Sequence, residues 1–177
     1  MPRALAVALS AALALAAAIP ARADDTAAFI ERFSGKWVGT GQLLFVTAGT
    51  SEFACELDGD PSETRLTFGM QGTCRMGSLA APVRAQLRYN ADTDQFYGQF
   101  MDGAAGSGVD LVGARAGKGF SLKLVRGATQ GRLTAETIGK NEMKVVMYYK
   151  NPASGDEVPV VAMGFTRKEV ITGSITP

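Results

Sequence analysis

The acidic pairs Asp58/Asp60, Asp92/Asp94 and Asp156/Glu157 have the spacing that general acid–base work or calcium binding would use. Each pair sits among Gly, Pro, Asn or Ser, where an aspartate serves local turn hydrogen bonds, and none repeats the ligand spacing of an EF-hand loop. The run Gly103-Ala104-Ala105-Gly106-Ser107-Gly108 is glycine-rich enough to cradle a phosphate, but no lysine and helix follow it. Met70, Met101, Met143, Met147 and Met163 carry soft thioethers suited to copper(I). Without a clustered Met-x-x-Met repeat they read as core filler. The chain has no histidine, so neither a Ser-His-Asp nor a Cys-His arrangement can form, nor a zinc site with imidazole ligands. These observations predict that the protein is not an enzyme and carries no metal and no cofactor.

Cys55 and Cys74 are the only cysteines. An even pair in an exported chain reads as a structural disulfide, worth about 3 kcal/mol for a loop of about twenty residues. A redox role would call for Cys-x-x-Cys or a strongly basic surrounding, and Arg75 alone is a thin one. The two cysteines flank the expected hairpin turn asymmetrically, which requires a bulge or a diagonal link.

Export is read from the N-terminus. Met1-Pro2-Arg3 is a short basic start, Ala4 to Ile19 is apolar except for Ser10, and Ala21-Arg22-Ala23 precedes Asp24-Asp25 with the small residues of a cleavage site. The pattern predicts a signal peptide over 1–23, a single domain over 24–177, and a periplasmic or secreted location. The charge of the whole chain is +1, and losing Arg3 and Arg22 with the leader takes it to −1. No basic stripe exists for nucleic acid or anionic lipid, and no later segment is apolar and long enough to span a membrane as a helix. Oligomeric state leaves no mark in the sequence.

The elements that must position any site are strands. Asp24, Asp25 or Thr26 is expected to cap a short helix over 25–33 whose Phe29, Ile30 and Phe33 form one apolar face. Ten strands are predicted over 36–47, 51–58, 63–72, 82–90, 95–102, 108–115, 119–126, 130–138, 142–150 and 157–168. Turn residues such as Asp58-Gly59-Asp60-Pro61 and Ala116-Gly117-Lys118-Gly119 separate them. The connections are too short for crossover helices, so the strands form an antiparallel meander. A meander this long closes on itself to remove its edges. Alternation sets the inward face, most clearly where Val83, Ala85, Leu87 and Tyr89 alternate with Arg84, Gln86 and Arg88. Gly35, Trp37, Gly39 and Gly41 share one face of the first strand, placing the only tryptophan on a bare backbone strip that permits bending.

Gly35-Lys36-Trp37 resembles the opening signature of the calycin superfamily: lipocalins, fatty-acid-binding proteins and bacterial relatives. The longer Gly35-x-Trp37-x-Gly39-x-Gly41 is most similar to nitrobindin-type small bacterial barrels. The resemblance implies an all-β, up-and-down barrel of about 8–10 strands, shut at one end by the N-terminal helix. It also implies a structural Trp37 packed on a basic residue of the last strand, here Arg167. Nitrobindins hold haem through a histidine, which this chain lacks. The fold leaves the barrel interior as the candidate site, with Phe68, Tyr89, Phe96, Phe100, Phe120, Met147 and Tyr149 as tentative ligand-binding residues beside Trp37 and Phe165. Tyr89, Tyr148 and Tyr149 are the polar handles available. The leading expectation is non-catalytic binding of a small apolar ligand. The alternatives are an envelope-structural or protein-interaction barrel with a packed interior, and an isomerase or cyclase, which has no motif behind it.

Overall fold

In the computed structural model, residues 20–45, 49–62, 64, 66–103 and 108–168 are described. The expected leader lies outside the described residues up to position 19, as do 46–48 at the end of the first predicted strand, 63 and 65 at the start of the third, and 104–107 of the glycine-rich run. Helix α1 spans Pro20–Glu31. Ten strands follow: β1 Gly35–Phe45, β2 Gly49–Pro61, β3 Thr67–Met76, β4 Leu79–Asn90, β5 Gln95–Met101, β6 Val109–Ala116, β7 Gly119–Arg126, β8 Thr129–Ile138, β9 Glu142–Lys150 and β10 Glu157–Arg167. Each pairs antiparallel with its sequence neighbour, and β1 pairs with β10, so the meander is a closed barrel. Closure leaves no strand edge to template aggregation. Among the described residues no helix is long and apolar enough to cross a membrane.

The third strand and the turn before it differ from expectation. Asp58-Gly59-Asp60-Pro61 carries turn chemistry, yet it continues β2, pairing with Gln71, Met70, Gly69 and Phe68. β3 therefore begins at Thr67 and runs to Met76, and a two-residue turn at Gly77-Ser78 joins it to β4. The shift brings Cys74 directly opposite Cys55, and the two form a disulfide with Cα atoms 4.1 Å apart. Neither a bulge nor a diagonal link is needed.

The helix is also longer than expected. Among the described residues it runs from Pro20 to Glu31, so Asp24 and Asp25 lie within it rather than at its start. Thr26 is not a cap. It shares a face with Phe29, Ile30 and Phe33 at the i, i+3, i+4, i+7 spacing, and all four are buried. The helix ends in a tight turn in which Phe33 and Ser34 donate to the carbonyls of Ile30 and Glu31. Gly35 then takes a positive φ of 88°, a left-handed conformation that favours glycine.

This buried face caps one end of the barrel. Phe29 and Phe33 each lie 4.8 Å from Phe120, which is 5.0 Å from Phe96. Trp37 beside them is fully buried and donates its indole N–H to the Phe33 carbonyl at 3.0 Å. Arg167, its register partner on β10, sets its guanidinium 4.2 Å from the indole. The same guanidinium donates to the carbonyls of Arg32 at 2.8 Å, Lys140 at 2.9 Å and Ser34. Space for it depends on Gly35, where an added Cβ would lie 2.9 Å from Arg167 Nη1. Gly39 has the same kind of role two pairs along from Trp37 and Arg167, where an added Cβ would lie 2.6 Å from the Phe165 ring and 2.9 Å from its Cα.

Arg167→Met should destabilise the protein by about 2 kcal/mol, because it removes a cation–π contact and leaves two partly buried carbonyls without donors. Arg167→Lys should recover only part, since an ammonium cannot reproduce the planar fork. Urea unfolding midpoints of the two variants check both values. Reduction of Cys55–Cys74 should cost about a further 3 kcal/mol in the same assay.

Candidate functional site

Packing changes along the barrel axis. At the helix end Ile30, Trp37, Phe96 and Leu122 are buried to 2% or less. Midway along, the inward residues Leu57, Met70, Phe100, Leu133, Val145 and Met147 are only partly buried. They surround an interior cavity of about 120 Å³. Phe33 and Phe120 of the aromatic cap contribute to its wall at the helix end. Every wall residue is Phe, Leu, Met, Val, Ala or the disulfide-bonded Cys74.

The hole follows from two small residues in inward rows. Ala85 on β4 pairs with Met70 and Phe100, and Ala135 on β8 pairs with Phe120 and Val145. A leucine at either place would fill much of the space. Toward the far end two hairpins are apolar, Met76 pairing with Leu79 and Tyr149 with Val158, all four exposed, while between β7 and the end of β5 stands the Arg126–Asp102 ion pair at 2.8 Å. The four residues form an apolar part of the rim at the end opposite α1, on the β3–β4 and β9–β10 hairpins.

The sequence-predicted residues divide among three places. Phe68, Phe100, Phe120 and Met147 line the cavity, as does Phe165. Phe96 and Tyr89 lie in the aromatic cap, their rings 5.1 Å apart, outside the cavity wall. Tyr149 stands at the rim with 36% of its surface exposed. Tyr148 points outward, its ring 4.2 Å from the Arg132 guanidinium, which also pairs with Glu157. The tyrosines are therefore not handles inside the cavity. Alternation had placed Ala85 on the inward face, but not the void it borders. Met70, Met143 and Met163, read as core filler, are wall residues too, whereas Met101 is exposed.

Tyr89 belongs to a separate polar cluster at the helix end. Its hydroxyl donates to Asp94 Oδ1 at 2.7 Å. Arg115 donates to the Thr26 hydroxyl and lies 4.9 Å from the Phe29 ring. The Asp94 hydrogen bond, and then burial, push the Tyr89 phenol above its ordinary value of 10.0. The cluster ties α1 to the barrel wall. Asp94 holds the β4–β5 turn with φ 53°, in the left-handed region that aspartate tolerates better than most residues. Among the described residues no group of three or more His, Cys, Asp or Glu is placed to hold a metal.

A larger depression of about 850 Å³ lies on the barrel's flank, reaching Thr40, Glu52, Arg75, Lys144 and Thr166. It is a solvent-open surface groove across β1 and β10, and the interior cavity is the better site because its wholly apolar wall withdraws a ligand from water.

No family model matches the chain, and no curated protein matches it in sequence. Among solved structures it is similar in fold to the S-type phycobiliprotein lyase CPES from Guillardia theta, with a TM-score of 0.59 and 10% identity over 84% of this chain and 98% of that one. It is also similar to Rv2717c from M. tuberculosis, with a TM-score of 0.59 and 13% identity over 81% and 98% of the two chains. The likeness supports the closed barrel drawn from the calycin resemblance. It overturns the expectation that the protein is not an enzyme. That expectation rested on missing histidine-based motifs, and a barrel of this shape belongs to a lyase.

Because the folded Tyr89 holds its proton more tightly than the unfolded residue, its contribution to stability is complete below pH 10 and lost as pH rises through the higher folded value. Unfolding free energies measured from pH 8 to 12 should show this alkaline fall, reduced in Tyr89→Phe. At neutral pH the variant should lose about 1 kcal/mol with the hydrogen bond.

Proposed function

We propose that this protein is an exported, calycin-type barrel that binds a small apolar ligand in its interior, reached from the end opposite α1. The observation that carries the reading is a cavity of about 120 Å³ with a wholly apolar wall, left open in a barrel whose helix end is densely packed. Leaving such a space unfilled costs about 24 cal/mol per Å³, or roughly 3 kcal/mol here. A barrel with only a structural role gains by filling it. The Cys55–Cys74 disulfide supports an oxidising compartment, and with it removal of residues 1–23. Phe68, Phe100, Phe120 and Met147 are the contact residues in this reading, with Tyr149 at the mouth.

The exposed apolar rim of Met76, Leu79 and Val158 favours a second reading, a protein-interaction barrel whose partner covers that end.

Native mass spectrometry of the protein purified from its own cell envelope, with organic extraction alongside, separates the two. The first reading predicts a chain starting at Asp24, two hydrogens lighter than the reduced form, carrying a reproducible extra mass that extracts as an apolar compound. Ala135→Leu should abolish that mass and stabilise the empty protein by about 1 kcal/mol. A bare chain that instead co-purifies with another protein, and loses it on Leu79→Lys, would support the second.

A further inference from the structure

The cavity's size and wall narrow the class of ligand, taking the apolar-ligand reading above as the starting point. We infer that the cavity takes an uncharged single-ring aromatic molecule, seated between the thioethers of β9 and β10 and the phenyl rings of β5 and β7. A volume of about 120 Å³ is close to the roughly 150 Å³ apolar cavity that stays dry and accepts benzene. It is well below the roughly 300–1,000 Å³ of pockets that enclose drug-sized ligands. Long acyl chains and macrocycles are thereby excluded from a cavity of this size.

Charge is excluded by the wall. It offers no donor or acceptor side chain, so a carboxylate or ammonium would lose its hydration without replacement. Of the inward-row cations at the helix end, Arg167 is committed to the carbonyls of Arg32, Ser34 and Lys140, and Arg115 to Thr26. Aromatic character is favoured by the sulfurs. Met143 and Met147 on β9 and Met163 on β10 all face the cavity. Phe100 on β5 stands five strands from β10 in either direction around the ten-strand ring, hence directly across the lumen. Thioethers contact aromatic rings favourably, often at the ring edge, and their unbranched side chains adjust to the shape presented.

The test uses the disulfide-bonded protein labelled with ¹³C in its methionine methyl groups and titrated separately with toluene and with octanoate. Toluene should shift Met70, Met143, Met147 and Met163 saturably, with a dissociation constant on the order of 1 mM or tighter, and leave the exposed Met76 and Met101 unmoved. At ten times that constant the Tm should rise by about 3–5 °C. Ala135→Leu and, independently, Ala85→Leu should remove both effects; if one fails to fold, the other carries the control. Shifts spread equally over Met76 and Met101, or none with toluene, would overturn the inference. Octanoate binding without toluene binding would overturn it while leaving the apolar-ligand reading intact. Neither ligand binding, with no mass co-purifying, would overturn both.

Discussion

The Arg167 guanidinium joins three parts of this protein that are far apart in sequence. It lies against Trp37 on the first strand, belongs to the last strand, and donates to carbonyls at the end of the helix and in the β8–β9 turn. Closing the barrel and docking α1 are therefore one event. Burial lowers the arginine's pKa, yet a guanidinium starts so far above neutrality that it keeps its charge. Two of the carbonyls that receive it, those of Arg32 and Ser34, lie just past the C-terminus of α1, where the helix dipole favours a cation. Gly35 and Gly39 are the steric condition for the arrangement, since side chains there would occupy the space of Arg167 and Phe165.

That anchoring makes the molecule asymmetric. The helix end contains edge-on and tilted aromatic pairs and the Thr26–Arg115 and Tyr89–Asp94 contacts, while the middle of the barrel is underfilled. A void of about 120 Å³ removes roughly 3 kcal/mol relative to a filled core, an amount comparable to what one disulfide contributes. Cys55–Cys74 crosses β2 and β3 beside the cavity, with Cys74 in its wall. Stability is thus supplied by the cap and the cross-link, and the interior is free to stay open.

The barrel shared with chains only 10% and 13% identical shows how little the architecture asks of the sequence. It needs period-two alternation, short turns and glycines where strands bend sharply. Catalysis is not excluded by that list, which is why missing histidine motifs were a poor guide to it. Fold and activity are separable, and activity resides in particular side chains.

The sequence alone determined what depends on near neighbours along the chain. Alternation and turn residues were enough for ten strands and their inward faces. The 3.6-residue spacing marked the apolar helix face, and the Gly-x-Trp resemblance pointed to Trp37 and Arg167. Its errors fell where one local pattern serves two conformations. Asp58-Gly59-Asp60-Pro61 has the chemistry of a turn, but its pairing with β3 holds it as strand. Thr26 has the chemistry of a cap, but Arg115 from β6 binds it on the buried face. Only the tertiary structure decided depth and volume. A period of two says which face Tyr89, Phe96 and Tyr149 occupy, whereas the stagger of the closed strands sets how far each lies along the axis. One consequently reached the rim and two the cap. The cavity itself belongs to no single residue: it is the difference between the space ten strands enclose and the side chains that meet there, a sum taken across the whole ring.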